Sequence, residues 1–457
     1  MAPKMDWKNL LNPERRRKSS LSSDHRAEFE RDYDRSIFST PVKRLQDKAQ
    51  VFPLEPIDAI RTRLTHSLEV SSVARGIAAR VAVWLHSERE IELQHIREIE
   101  AIAATCGLIH DLGNPPFGHA GEDAIREWFV DHFQKNQKSL DPQLEQDFRS
   151  FEGNAQTLRI VSKLQILADF HGLNYTFGTL SASFKYVAAS HQVVKGNQAY
   201  KKPGYFASER DVVETVRAAC GTIDVRNPIT FLVEAADDIV YSAADIEDAV
   251  KKGVITWQRL NDIFKGWLDT DSSHPVGRAL EIKNRILGDD VNRSFTDDVH
   301  AAAFRTGAIS VGVLGAFDSF KENYLAIMSG THLTELVAHS SITKLVEGLK
   351  KIGQDLVYPN KSTIKLELMG RRVINDLMTL FWEGAEVLPV DSAPKTKSFE
   401  GRIGALLSQN YRDVFMHSVK TGGLPELYYR YQLVTDYVCG MTDTFACSLH
   451  RELFDAE

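Results

Sequence analysis

Cysteine is scarce in this chain. Its four cysteines, Cys106, Cys220, Cys439 and Cys447, are scattered and form no CxxC pair. That excludes a disulfide framework and a zinc–thiolate site, and reads as buried or idle thiols in a reducing compartment. Long apolar runs are missing as well: none approaches the roughly 18 residues of a membrane span. Met1 to Ser20 also lacks the apolar stretch of a secretory signal. The expectation is a cytoplasmic chain with no membrane partner. There is no excess of positive charge, the formal net charge being −7, which argues against a protein whose main work is coating nucleic acid. Internal repeats and low-complexity linkers are absent too. The cluster Arg15-Arg16-Arg17-Lys18 is expected to be a solvated or frayed arm.

What is present is a chain of 457 residues, 43% hydrophobic and 26% charged, enough to bury a large core. The coarse pattern is helical nearly throughout, an all-α protein with at most a few short strands. Leu64, Leu68, Ile77, Val81 and Leu85 form an apolar stripe over Arg61 to Leu85. Glu98 to His110 is a second helix, and Pro228 opens a third running from Ile229 towards Val250. Further helices are expected at Ala301–Phe317, Leu333–Ile352, Ser362–Trp382, Ile403–Val419 and Leu427–Phe454. Strand candidates lie near Phe184–Val187 and Val311–Val313, and loops at Asn197–Tyr205 and Val387–Lys397. The division expected is a polar arm over 1–34, a core over 35–250 and a helical C-terminal region over 251–457 packed on that core.

Chemistry concentrates in Gly107-Leu-Ile-His110-Asp111-Leu-Gly-Asn114-Pro115-Pro116-Phe-Gly-His119-Ala-Gly-Glu122. An apolar helix delivers an adjacent imidazole and carboxylate, two prolines break it, and a second His/Glu pair follows. Imidazole beside carboxylate suits a divalent cation, and His119 with Glu122 suits proton handling. A His-Asp pair at the end of an apolar helix faces the interior, where ionisable groups need a partner or a metal. Taken alone, Glu122 could equally be a first-turn carboxylate favouring the helix dipole.

More donors lie on other apolar helices. His66 sits beside the first stripe, and Arg63, one turn earlier, has the guanidinium suited to phosphate oxygens. Its bland alternative is an ion pair with Glu69 or a neighbouring carboxylate. In Phe231 to Asp248, Glu234, Asp238 and Asp245 fall on a polar, outward stripe. Asp237 shares its side with Val233, Val240, Tyr241 and Ala244. An acid on an apolar face calls for a partner, so Asp237 is the ligand candidate and Asp238 the solvated neighbour. Tyr241 points the same way and could pack on a substrate ring or sugar.

A His, a distant His-Asp pair and a later Asp resemble the HD-domain metallohydrolases. The fuller strings, Arg61-Thr-Arg-Leu-Thr-His66-Ser, His110 through Glu122, and Glu234-Ala-Ala-Asp237-Asp-Ile, resemble the deoxynucleoside triphosphate triphosphohydrolases, in particular bacterial dGTPases. The similarity runs from about Arg35 to Ala446. It includes Gln50-Val-Phe-Pro, Phe151-Glu-Gly-Asn154-Ala-Gln, Phe184-Lys185-Tyr186 and Tyr437-Val-Cys-Gly-Met-Thr-Asp443. The resemblance implies a mostly helical fold and hydrolysis of a dNTP to the deoxynucleoside and inorganic triphosphate. It implies a metal held by His66, His110, Asp111 and Asp237, with His119 and Glu122 acting on the attacking water and the phosphate. Gln50, Arg63, Asn154, Lys185 and Tyr241 match positions that contact nucleotide or lie beside it. Homo-oligomers, often hexamers, and activation by single-stranded DNA or a second nucleotide are also implied.

The ligand set does not decide between metals, nitrogen donors favouring transition metals over Mg²⁺ while availability often decides occupancy; the expectation is Mn²⁺ or Mg²⁺, with Co²⁺, Fe²⁺ or Zn²⁺ as alternatives. Water activated by His119/Glu122 would attack the α-phosphorus, Glu122 orienting the imidazole. Arg63 and Lys185, with Lys201-Lys202 as an extension, would offset the triphosphate charge. The alternatives are an HD-type nucleotide monophosphatase or phosphodiesterase, and an inactive nucleotide- or DNA-binding regulator.

Overall fold

The computed structural model describes residues 4–18, 26–52, 54, 57–135, 140–165, 169–194, 196–288 and 295–454. The helices used below are α1 (Glu28–Phe38), α2 (Arg63–Ser87), α3 (His95–Ile109), α4 (Gly118–Lys135) and α5 (Gly153–Arg159). They are followed by α6 (Pro228–Lys251), α7 (Asp297–Glu322), α8 (Lys361–Glu386), α9 (Glu426–Cys439) and α10 (Asp443–Phe454). Among the described residues the only strands are β1 (Ala188–Ala189) and β2 (Pro203–Tyr205), a parallel pair. The all-α expectation holds.

Two helical layers carry the molecule. In the first, α2 packs along α3, both meet α6, and α7 packs on α2 and α6. Val70, Ala74, Ile77, Ala78, Val81 and Leu85 form the wholly buried face of α2, each of the larger ones contributing about 1.5–3 kcal/mol. Leu64 is only half-buried and Leu68 is exposed, so the stripe is shifted from the one expected. Asn227 caps α6 by accepting from the Ile229 amide at 2.9 Å, with Pro228 at the first position. In the second layer, α8 packs on α4, α9 and α10 around Trp128, Phe129, Phe381 and Tyr431. A smaller core under α5 joins Leu108, Ile109, Leu158 and Val213.

Several expectations are corrected. Val311–Val313 lies inside α7, where Gly312 packs against Ile239, so tertiary packing overrides β-propensity. The Phe184–Val187 candidate precedes the strand, which begins at Ala188. The Asn197–Tyr205 loop contains a 3₁₀ turn at Gln198–Tyr200 and β2. The Leu333–Ile352 helix starts only at Thr343. Before it, Ser340 and Thr343 hydroxyls donate to Val337 O at 2.7 and 2.6 Å and compete with helix formation. Ile403–Val419 is two helices, Phe399–Leu406 and Gln409–Thr421, parted by extended backbone at Leu407 and Ser408. Leu427–Phe454 breaks between α9 and α10 at Gly440–Thr442.

Of the basic cluster near the N-terminus, Arg15 and Arg16 are docked, Arg17 is half-buried and Lys18 is exposed as expected. Arg15 is buried, donating to Asp32 at 2.5 Å and Asn174 O at 2.6 Å, while Arg16 donates to Ser162 O at 2.9 Å. Trp7, Leu10 and Leu11 join the main core. Helix α7 is long and apolar enough to cross a membrane by length and composition alone. Here it is half buried and packs on α2, α6 and the helix Val276–Leu287, as a core helix does.

Candidate active site

A cleft of about 740 Å³ opens where α2, α3 and α6 face the start of α4 and α5. Thr62 caps α2, accepting from the Thr65 amide, so Arg63 and His66 fall in its first turn. His110 and Asp111 follow the last turn of α3, and Asp237 comes from mid-α6. These three elements converge. His66 Nε2 lies 3.2 Å from Asp237 Oδ1, and His110 Nε2 lies 3.5 Å from both Asp237 Oδ1 and Asp111 Oδ1. Donor atoms of His66, His110 and Asp111 all fall within 4.8 Å of one another.

The donor set fits a divalent cation. His110 Nδ1 lies 2.8 Å from the Gly107 carbonyl, which makes Nδ1 the protonated nitrogen and leaves the Nε2 lone pair pointing at the carboxylates. That Nε2 is buried and has no hydrogen-bond partner among the described residues, an orphan a cation would satisfy. Asp111 is oriented by Asn114 Nδ2 at 2.7 Å and Arg63 Nη1 at 2.6 Å. Burial pushes the Asp111 carboxyl up, but His110 and Arg63 outweigh it and hold the group down at about 2. Asp237 is likewise held below the usual carboxylate range: burial is opposed by His110, His66 and Lys185. Burial works to lower His66, and the hydrogen bond and charge of Asp237 reverse this and raise it. These carboxylates stay anionic at neutral pH.

Across the cleft, α4 begins at Gly118, whose φ of 58° favours glycine and which packs under the Arg63 guanidinium. A Cβ there would sit 2.6 Å from Arg63 Nη2. One residue on, the His119 side chain is 85% exposed. Glu122 is buried, its Oε1 accepting the Gly153 amide at 2.7 Å, and its Oε2 lying 3.4 Å from His119 Nδ1 and 3.3 Å from Arg126. Burial would raise Glu122, but the His119 hydrogen bond and the Arg126 charge bring it below its ordinary value. Glu122 is thus more than a first-turn carboxylate; it ties α4 to α5.

Gln50, Arg63, Asn154, Lys185 and Tyr241 all line this cleft. Lys185 Nζ lies 3.9 Å from Asp237, Asn154 Nδ2 donates to Glu152 at 2.8 Å, and Tyr241 meets the Tyr358 hydroxyl at 2.6 Å. Arg63 is ion-paired, with Asp111; Glu69 pairs with Arg61 instead. Lys201 and Lys202 reach the wall, Lys202 bonding Glu152 at 2.9 Å.

The outward stripe on α6 is corrected. Glu234 and Asp245 are buried, paired with Arg226 at 2.7 Å and accepting from Tyr358 at 2.7 Å, and Asp238 lines the cleft 2.6 Å from Lys350. Burial pushes Asp238 up to about 6. Lys350 and Tyr358 are cleft residues that sequence reasoning missed; they lie more than a hundred positions from Asp238 and Asp245. Glu152 and Tyr186 also line the cleft, each within two residues of Asn154 or Lys185, and neither was expected there.

Residues 63–152 match the HD domain. A protein of Listeria monocytogenes, described as a deoxyguanosinetriphosphate triphosphohydrolase-like protein, is 38% identical over 98% of this chain and 99% of its own. A deoxyguanosinetriphosphate triphosphohydrolase of Yersinia enterocolitica is 31% identical over 94% of both chains. One from Enterobacter sp. strain 638 is 32% identical over the full length of both.

The chain belongs to the deoxyguanosinetriphosphate triphosphohydrolase family.

It is an enzyme of the HD-domain triphosphohydrolase kind, and the HD domain carries divalent-metal binding with it. The matched span holds His66, His110, Asp111, His119 and Glu122. Gln50, Asn154, Lys185, Asp237 and Tyr241 reach the cleft from outside that span. The triphosphohydrolase cleft is therefore a product of the whole fold.

Proposed function

We propose that the chain hydrolyses deoxynucleoside triphosphates, dGTP among them, to the deoxynucleoside and inorganic triphosphate. The observation that carries this reading is one cleft holding a four-donor cluster at one end and a His–Glu pair at the other. A divalent cation held by His66, His110, Asp111 and Asp237 would supply Lewis-acid polarisation of a phosphate oxygen and acidify water. His119 accepts the proton of the attacking water, and Glu122 holds the imidazole tautomer and offsets its positive charge. The water oxygen bonds to the α-phosphorus, the Pα–O5′ bond breaks, and O5′ keeps the electron pair and takes up a proton from solvent. Arg63, Lys185, Lys201 and Lys202 are the cations for the triphosphate. Gln50, Asn154 and Tyr241 are assigned to the nucleoside and its α-phosphate. The catalytic core is assigned to residues 35–250, with 251–457 closing the cleft through Lys350 and Tyr358.

The test is incubation with each dNTP and Mn²⁺ or Mg²⁺, with and without single-stranded DNA, followed by separation of products. Deoxyguanosine and intact triphosphate are expected from dGTP. Orthophosphate released from a dNMP, or opening of a cyclic nucleotide, with no triphosphate formed, would overturn the reading. Homo-oligomeric assembly belongs to the same reading, and light scattering on the purified chain measures it.

A further inference from the structure

The stretch Tyr437–Asp443 supplies no wall of the cleft, yet its end is tied to both loops that flank the chemistry. Asp443 opens α10 and is 2% exposed. Its Oδ1 accepts the Phe117 amide at 3.0 Å, and its Oδ2 accepts the Ala49 amide at 3.0 Å. Phe117 is two residues before His119, and Ala49 is one before Gln50. One carboxylate thus bridges two backbone segments that lie 326 and 394 positions away from it.

The Phe117 bond matters because of its backbone. Phe117 has a φ of 62°, in the left-handed region that a phenylalanine rarely adopts. Such a conformation persists only where the surroundings over-determine it. Here the phenyl ring is buried against Gly370 and the amide is fixed by Asp443. The turn at Phe117–Gly118 sets where α4 begins, and so where His119 projects.

The same junction holds the loops at further points. Lys48 Nζ donates to Cys439 O at 2.9 Å and to Asn114 O at 2.6 Å. Cys439 Sγ donates to Gly113 O at 3.1 Å, and Arg44 Nη1 donates to Gly440 O at 3.0 Å. A carboxylate is the group for this place, since it offers two strong acceptors to two amides at the favourable end of a helix.

We propose that Asp443 is a positioning residue for the reaction, a two-oxygen clip by which the α9–α10 junction fixes the Gln50 loop and the His119 turn against each other. This rests on the proposed role of His119. A catalytic group displaced by about 1 Å costs on the order of 10²-fold in rate.

The experiment compares Asp443→Asn, which leaves one acceptor oxygen in place of two, with Thr444→Val in the full-length chain. Thr444→Val removes only the neighbouring bond from Thr444 to Asp47. Hydrogen exchange, Mn²⁺ affinity by calorimetry, and kcat and KM for dGTP are measured on each. Asp443→Asn is expected to speed exchange tenfold or more in segments 46–52 and 113–119 while α3 is unchanged. Its kcat per Mn²⁺-loaded site should fall about 10- to 100-fold, with KM and Mn²⁺ affinity within threefold of the parent. Thr444→Val should match the parent in kcat.

Unchanged exchange in both segments, or a kcat within twofold of the parent, would overturn the proposal. So would a Mn²⁺ affinity that falls in step with kcat, which would mark Asp443 as a support of the whole fold. If Asp443→Asn does not fold, Asp443→Ser, which keeps one hydroxyl acceptor in a smaller side chain, carries the same exchange and kinetic measurements with the same two outcomes. A parent chain that leaves every dNTP intact would sink the proposed function, and the exchange measurement would still decide the clip.

Discussion

The two ends of the cleft are built differently. At the donor end, His66 is wholly buried and Asp111 has both oxygens engaged by Asn114 and Arg63, so each group arrives with its orientation set. At the other end the carboxylate is just as fixed, Glu122 being anchored to the Gly153 amide and Arg126. Its imidazole partner stands in solvent, His119 being 85% exposed. The first end is preorganised to hold charge in one place. The second keeps a rigid carboxylate beneath a side chain free to meet water and substrate. Ground-state binding and proton transfer make different demands on rigidity, and under the proposed function the cleft would separate them over one loop, Leu112–Phe117.

That contrast can be broken from either side. Asp237→Ala removes the donor that joins His66 to His110, and should abolish both metal occupancy and measurable turnover. Elemental analysis checks it, and full occupancy would remove Asp237 from the ligand set. His119→Ala should leave metal and substrate binding intact and reduce turnover on the order of 10²- to 10⁴-fold. A near-normal rate in single-turnover assays would end its role as base. Asn114→Ala takes one orienting bond from Asp111 without removing a donor. Metal affinity should weaken about 10- to 100-fold, while in saturating metal kcat stays near that of the parent; calorimetric titration separates the two.

The smallest effect concerns the loop between the ends, which rests on the buried cation Lys48. Burial brings Lys48 down from 10.5 to about 8. Between about pH 8 and pH 10.5 the unfolded chain keeps a proton that the folded chain has shed, so this group makes stability rise with pH across that window. Below about 8 both states are protonated and the penalty is constant, on the order of 3 kcal/mol. Denaturant unfolding of the parent and of Lys48→Met at pH 7.5 and 10.5 should show their difference in stability shifting towards the parent as pH rises. A difference independent of pH would count against the depressed lysine.

Much of the donor end was legible before the fold was known. His110 and Asp111 end an apolar helix, and Asp237 lies on the apolar side of another, so each announced a need for a partner. What escaped were carboxylates whose partners lie outside their own helix, more than a hundred positions on for Asp238 and Asp245 and eight residues back, before α6 begins, for Glu234. Glu234, Asp238 and Asp245 follow a spacing that periodicity reads as a solvated stripe, yet Arg226, Lys350 and Tyr358 cover them. Arg15 looked solvated for the same reason: Asp32 and the Asn174 carbonyl, which bury it, share no local pattern with it. Helix breaks at Leu407 and Gly440 were missed because neither follows a proline, and the apolar spacing continues across both.

By itself, then, the sequence determined the helical class, the candidate donors that meet in the cleft, and the split between a His-Asp pair and a His/Glu pair. Those properties live in side-chain chemistry and short-range periodicity. Tertiary structure alone decided which acids face the cleft, how the N-terminal arginines dock, and that Asp443 holds the turn before His119. Most of these depend on a polar group meeting a partner tens to hundreds of residues away. Local spacing carries no record of such a meeting, because the cost of burying charge is settled only when the elements pack.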